Sequence, residues 1–274
     1  MDIKVSHETS FRKQLLRKLM DKTLDVAVIN NLFDLNVLND FEKDLEDFPQ
    51  DLNLEDGYFF PLPYSSIRMD HGNKQDAFQA YKDSYMNLSQ VASTPLNQIS
   101  KRFIEIIERE GGCKPLLVFD NIKLNPMGFR VLFSNKQGID IHCENAFLNQ
   151  LELKFKKQLF EKVDLENAIS IFVTISAPDI GGGLTIFDKE WENVKINMNE
   201  TSYEERHDSE GAMFVNRQLS KPKRYKHPCK TGEAIVFRAA QMWHGIEKIE
   251  GSKERISMGC FIAKGKDGAY YYWA

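Results

Sequence analysis

The stretch Gly138-Ile139-Asp140-Ile141-His142-Cys143-Glu144-Asn145-Ala146-Phe147 decides how the chain is read. Successive side chains of an extended segment point to opposite faces, so His142 and Glu144, two apart, face the same way and can grip one ion. The same alternation turns Cys143 to the other face, where a small thiol packs as a buried residue. One imidazole and one carboxylate suit iron(II) when a second histidine completes the set and three positions stay open. The candidate is His244, in Ala239-Ala240-Gln241-Met242-Trp243-His244-Gly245, about a hundred residues downstream. It follows Gly232-Glu233-Ala234-Ile235-Val236-Phe237, a turn feeding an apolar run that reads as a buried strand. Further on, Arg255 and Ser257 in Arg255-Ile256-Ser257-Met258-Gly259-Cys260-Phe261 share one strand face. An arginine and a hydroxyl so placed form a fork for a carboxylate. The remaining histidines, His7, His71, His207 and His227, have no acid or histidine at strand spacing inside an apolar context.

Outward from this stretch, short strand candidates succeed one another from Pro115. They are Leu116 to Phe119, Phe129 to Phe133, Ile139 to His142, Ile169 to Ile175, Leu184 to Phe187, Ala234 to Phe237 and Ile256 to Ile262. Such a series predicts an antiparallel sandwich or barrel closed on itself, and a jelly roll suits the chemistry because its mouth holds an ion on ligands from separate strands. The piece between Phe147 and Leu165 reads as a loop running into a partly helical connection. Asp188 to Lys230 is a long irregular region, acidic at its start and basic at its end, placed to act as a lid over the mouth.

His-x-Glu, a distal histidine, then Arg-x-Ser resembles the iron(II)- and 2-oxoglutarate-dependent dioxygenases. Ala168 to Ile175 followed by Gly181-Gly182-Gly183-Leu184-Thr185-Ile186-Phe187 looks like that family's strand, Gly-Gly turn and next strand. The match in pattern covers roughly residues 115 to 265. It implies a double-stranded β-helix (jelly roll, cupin-like), mainly β with flanking helices (α+β). It implies iron(II) on His142, Glu144 and His244, which are then the catalytic residues, 2-oxoglutarate held by Arg255 and Ser257, and dioxygen as oxidant. In related halogenases a Gly or Ala stands where Glu144 does and frees a place for chloride, so the resemblance implies hydroxylation of a C–H bond. Glutamate in place of aspartate resembles the clavaminate-synthase-like hydroxylases. The Gly-Gly turn with Trp191 after it looks more like the branch holding halogenases of free amino acids and their hydroxylating relatives. Both point to a free amino acid or a derivative as the small-molecule substrate. A protein or peptide hydroxylase and a non-catalytic jelly-roll binding module are the alternatives.

The N-terminal third reads differently. Residues 8 to 22 carry Phe11, Leu15, Leu16 and Leu19 at helical spacing, Val26 to Ile29 reads as a strand, and Leu35 to Phe48 as a second helix. Pro49 to Asn73 has no period and reads as a long loop, with Arg68, Asp70 and His71 as candidate pocket residues. Thr94-Pro95 opens a helix through Ile107, stopped by Gly111-Gly112. Phe147 and Trp243, beside the proposed ligands, are candidate walls of the substrate pocket. The expected organisation is a single domain over 1–274: mostly helical support and a substrate loop over 1–112, a jelly-roll core over 113–265 with the lid at 188–230, and a tail over 266–274.

Composition excludes other classes. The chain has 274 residues, is 42% hydrophobic and carries a net charge of −4, enough for one substantial core and without the basic footprint of a nucleic-acid binder. No apolar run approaches a membrane span and the N-terminus lacks a signal-peptide core, so no membrane partner and a cytoplasmic location are expected. The 4 cysteines show no zinc-like spacing and read as reduced. Monomer and homodimer are both compatible with the sequence.

Overall fold

The alternating segments become two facing β-sheets in the computed structural model, which describes residues 2–44, 52–54, 56–64, 67, 78–84, 86, 94–119, 122–151, 153–193 and 223–274. The strands of the first half are β1 (Val5–Glu8), β2 (Val26–Ile29), β3 (Leu52–Leu54), β4 (Gly57–Phe60), β5 (Cys113–Pro115), β6 (Leu117–Val118), β7 (Ile122–Lys123), β8 (Gly128–Leu132) and β9 (Ile139–His142). Those of the second half are β10 (Ile169–Ser176), β11 (Ile180–Gly181), β12 (Leu184–Glu190), β13 (Arg224–His227), β14 (Ala234–Phe237), β15 (Met242–Ile246), β16 (Ile249–Glu250), β17 (Arg255–Lys264) and β18 (Tyr270–Trp273). The α-helices that join them include α1 (Lys13–Met20), α2 (Leu35–Asp44), α3 (Thr94–Glu105) and α4 (Leu153–Lys162).

The larger sheet runs β1-β2-β14-β10-β17-β8-β4-β3, and the smaller β13-β12-β15-β9. Each strand of the larger sheet offers one face to the helices and one to the smaller sheet, because neighbouring side chains alternate. Ile169, Ile171, Val173 and Ile175 of β10 and Phe129 and Val131 of β8 join Leu15, Leu16 and Leu19 of α1, Phe41 of α2 and Ile99 and Phe103 of α3 in the outer core. Each such fully buried aliphatic or aromatic side chain contributes about 1.5–3 kcal/mol. The opposite face supplies Leu132, Ile235 and Phe237, which meet Leu184, Ile186, Met242 and Ile246 of the smaller sheet. The arrangement is the expected jelly roll, with its functional strands β9, β15 and β17 brought to one mouth.

The structure corrects several expectations. Residues 8 to 22 are not one helix: Val5–Glu8 pairs in parallel with β2 before α1 begins at Lys13. The stretch 49 to 73 is not simply loop, because β3 and β4 form a hairpin whose second strand pairs with β8. Its mixed Pro, Asp and aromatic composition hid a short edge pair that is held by β8 and not by its own period. The tail 266–274 contains a strand, Tyr270–Trp273. β8 occupies the edge of β17 only from Arg255 to Gly259, and β18 takes up the rest from Phe261 to Lys264. Trp273 and Tyr272 are consequently buried. Segment 188–230 is narrower as an excursion than its composition suggests. Asp188 to Glu190 continue β12, and Arg224–His227 return antiparallel beside its beginning, while 194–222 lie outside the described residues. Among the described residues no helix is long and apolar enough to cross a membrane.

Candidate metal and co-substrate site

β9 and β15 are antiparallel neighbours, and their register sets His244 directly opposite His142. Opposed residues of such a pair share a face, so the imidazoles stand side by side with centroids 4.2 Å apart. His244 thus sits within a strand of its own, and the apolar run before it, β14, belongs to the other sheet. Gly245 makes the approach possible, since a Cβ there would lie 2.9 Å from the Ile139 carbonyl oxygen. Glu144 is not on the strand, as the sequence suggested, but opens a 3₁₀ turn over Glu144–Gln150. Cys143 between them stays extended at φ −137° and ψ 134°, so alternation persists one residue past β9. His142 Nε2 and Glu144 Oε1 are 3.6 Å apart, and one ligand atom from each of His142, Glu144 and His244 lies within 4.8 Å of the others.

The electrostatics suit a divalent cation. His142 Nδ1 lies 2.7 Å from the Asp140 carbonyl and His244 Nδ1 lies 2.8 Å from that of Met242. A carbonyl only accepts, so each Nδ1 carries the proton and each Nε2 keeps its lone pair for a metal. Burial, then the neighbouring His142, push His244 down to about 3, so it is neutral across the physiological range. Burial works to raise the Glu144 carboxyl, but the neighbouring imidazoles, His142 foremost, and the Arg130 guanidinium bring it below the ordinary glutamate value. Two imidazoles and one carboxylate are the donor set of a facial iron(II) site. Cys143 faces away into Trp243 and Phe187, and burial raises its thiol.

Arg255 and Ser257 project together from β17. Arg255 is 2% exposed, donates from Nε to the Gly182 carbonyl at 3.0 Å and from Nη1 to Ser257 Oγ at 3.1 Å. The Gly-Gly turn exists to deliver that carbonyl: Gly181 and Gly182 have φ of +77° and +67°, and a Cβ on Gly181 would fall 1.9 Å from the Lys248 carbonyl oxygen. With Nε used, the Nη1–Nη2 edge remains for a carboxylate, and Ser257 stands beside it. Arg255 has no ion pair among the described residues, which fits a buried guanidinium meant for a ligand's carboxylate.

The other candidates divide. Phe147 stays near, its ring 5.9 Å from that of His142. Trp243 does not line the mouth. It neighbours His244 along β15, so alternation turns it to the opposite face, where it is fully buried against Cys143, Phe187 and Trp191. Arg68, Asp70 and His71 lie outside the described residues. Sequence reasoning missed two site residues. Phe237 at the end of β14 stands edge-on to His244 with centroids 4.8 Å apart. Arg130 on β8 sits opposite Ser257 in register, over the Phe59 ring at 4.6 Å. Burial, then the charge of Arg255, lower Arg130 to about 9 against the pull of Glu144. Only the strand pairing reveals it, because Gly128-Phe129-Arg130-Val131-Leu132 carries no motif of its own.

Comparisons with known proteins address the chain as a whole. The family model described as carrier-protein-independent halogenase WelO5 matches residues 1–274. No curated protein matches the sequence. Among solved structures, an N-substituted L-amino acid dioxygenase from Burkholderia ambifaria AMMD superposes with a TM-score of 0.61 at 14% identity, over 96% of this chain and 91% of that one. The same enzyme in complex with α-ketoglutarate gives 0.60 at 17% identity over the same shares. These likenesses show a shared fold.

Proposed function

The chain belongs to the family of the carrier-protein-independent halogenase WelO5, and from that premise we propose that it hydroxylates a C–H bond of a small amino-acid-like substrate. It is an iron(II)- and 2-oxoglutarate-dependent oxygenase acting as one catalytic unit over residues 1–274. The observation that carries hydroxylation over halogenation is Glu144, whose carboxylate stands with the two histidine nitrogens in the third ligand position. There it brings negative charge and fills the space that a chloride would need.

Bound at this centre, iron(II), 2-oxoglutarate and dioxygen supply the oxidising power for an unactivated C–H bond, with succinate and carbon dioxide as co-products. His142 and His244 hold the metal through Nε2, each ring fixed by its Nδ1 bond to a carbonyl. Arg255 and Ser257 orient the co-substrate by its far carboxylate, and the bond from Arg255 to Gly182 keeps the guanidinium from turning away. Phe237 and Phe147 flank the imidazoles and limit the approach of water. The superposed dioxygenase acts on N-substituted L-amino acids, which supports an amino-acid-derived substrate here.

The test is turnover of free and N-substituted amino acids with iron(II), 2-oxoglutarate and excess chloride, followed by mass spectrometry and succinate assay. The expected result is succinate release coupled to a mass gain of one oxygen. A chlorinated product, or an isomer of unchanged mass, would overturn hydroxylation.

A further inference from the structure

Arg130 is the second guanidinium of the site, and neither the metal set nor the co-substrate fork accounts for it. It lies opposite Ser257 on the adjoining strand, so its side chain rises from the same face as Arg255 and Ser257. Its Nε is buried without a hydrogen-bond partner, and it has no ion pair among the described residues. The Phe59 ring supports the cation from below at 4.6 Å. Glu144 is near enough to attract it, yet the Glu144 carboxylate is turned to His142, 3.6 Å away. Two arginines on one sheet face repel each other unless anions accompany both.

Charge bookkeeping indicates what the second anion is. A divalent metal, the Glu144 carboxylate, both carboxylates of 2-oxoglutarate and Arg255 sum to no net charge. Among the described residues of the site, Arg130 therefore leaves one positive charge in excess once it is loaded. Exposure separates the roles of the two arginines. Arg255 is sealed at 2% exposed, whereas Arg130 is half-buried as a residue, with its Nε enclosed. The more deeply buried arginine, already bonded to Gly182 and Ser257, suits the co-substrate, and the one with its Nε still unpartnered is left for a further anion.

We propose that Arg130 is a specificity-determining residue that pairs with a carboxylate of the substrate, and that the substrate is a monoanion such as an N-acylated amino acid. A free amino acid brings an ammonium with its carboxylate and leaves the excess charge in place, and among the described residues Glu144 is the one carboxylate interacting with Arg130. The assignment rests on the reading given under Proposed function and narrows its substrate class.

Calorimetric titration tests it on protein loaded with nickel(II) and 2-oxoglutarate, using N-acetyl-L-amino acids, their matched primary amides and the free amino acids as probes. The wild type is expected to bind at least one N-acetyl acid about tenfold or more tighter than its amide, the scale of one charge-assisted hydrogen bond. Arg130→Gln is expected to remove that acid–amide difference and Arg130→Lys to keep part of it. Arg130→Met preserves the stem against Phe59 and gives the same result should the Gln variant fold poorly. Binding of 2-oxoglutarate to the nickel protein is expected to change little in these variants. The proposal is overturned by the absence of an acid–amide difference in the wild type, by its persistence in Arg130→Gln, or by a loss of 2-oxoglutarate affinity matching that of Arg255→Gln. Failure of the wild type to bind 2-oxoglutarate would overturn the functional reading itself and the assignment with it.

Discussion

Replacing Arg255 tests the co-substrate fork with a magnitude that follows from its bonds. The guanidinium is 2% exposed and uses Nε for the Gly182 carbonyl and one Nη1 hydrogen for Ser257 Oγ, which leaves the Nη1–Nη2 edge for two parallel bonds to a carboxylate. Hydrogen bonds to charged groups contribute about 1.5–3 kcal/mol each. Arg255→Ala removes both and leaves the carboxylate without its countercharge, so about 3–4 kcal/mol of 2-oxoglutarate binding is lost, roughly a 10²- to 10³-fold rise in Kd. Arg255→Lys keeps the charge but not the planar fork or the bond to Gly182, and the expected rise is about 10- to 100-fold. Titration of nickel(II)-loaded protein with 2-oxoglutarate under nitrogen measures this without turnover. The order wild type, Lys, Ala in affinity is expected, with metal content unchanged. A Kd in Arg255→Ala equal to that of the wild type would refute the assignment of the fork.

Other outcomes follow from neighbouring observations. Glu144→Ala removes one of three ligand groups. It should weaken iron binding by about 100-fold or more and abolish most hydroxylation, with little or no chlorinated product even in high chloride, because vacancy alone does not aim a substrate at a halide; full hydroxylation by this variant would show that Glu144 is not a needed ligand. Trp243→Ala empties a fully buried site behind the histidine strand and should cost about 3–5 kcal/mol in urea unfolding; a loss under about 1 kcal/mol would return Trp243 to the pocket wall. For Glu190, burial works to raise the carboxyl, but its bond to Arg238 at 2.7 Å holds it below the ordinary 4.5. A depressed folded value means stability present above about pH 4.5 and lost as pH falls through the folded value, so Glu190→Gln should lower Tm at neutral pH and flatten its acid-side decline. Parallel Tm curves for the two proteins would remove this role.

What the sequence by itself determined was local. His142 and Glu144 are two residues apart, and so are Arg255 and Ser257. Alternation along one extended segment is enough to put each pair on a common side, and it needs no knowledge of a neighbour. The same rule placed Cys143 on the far face, and the recurring short apolar runs announced two antiparallel layers. The tertiary structure decided whatever depends on pairing between distant segments. His244 meets His142 through the β15–β9 register, and Arg130 meets Ser257 through that of β8 and β17. Trp243 looked like a pocket wall because it is next to a ligand in the chain, yet one residue along a strand is the opposite face. The last residues looked like a tail because nothing local marks Tyr270–Trp273 as sheet; they are strand because the second half of β17 leaves an edge that β8 does not reach. A periodic signal survives in one dimension because each side chain's direction is set by its own backbone, whereas register is set by the summed burial of whole strands, and that sum exists only once the chain has folded.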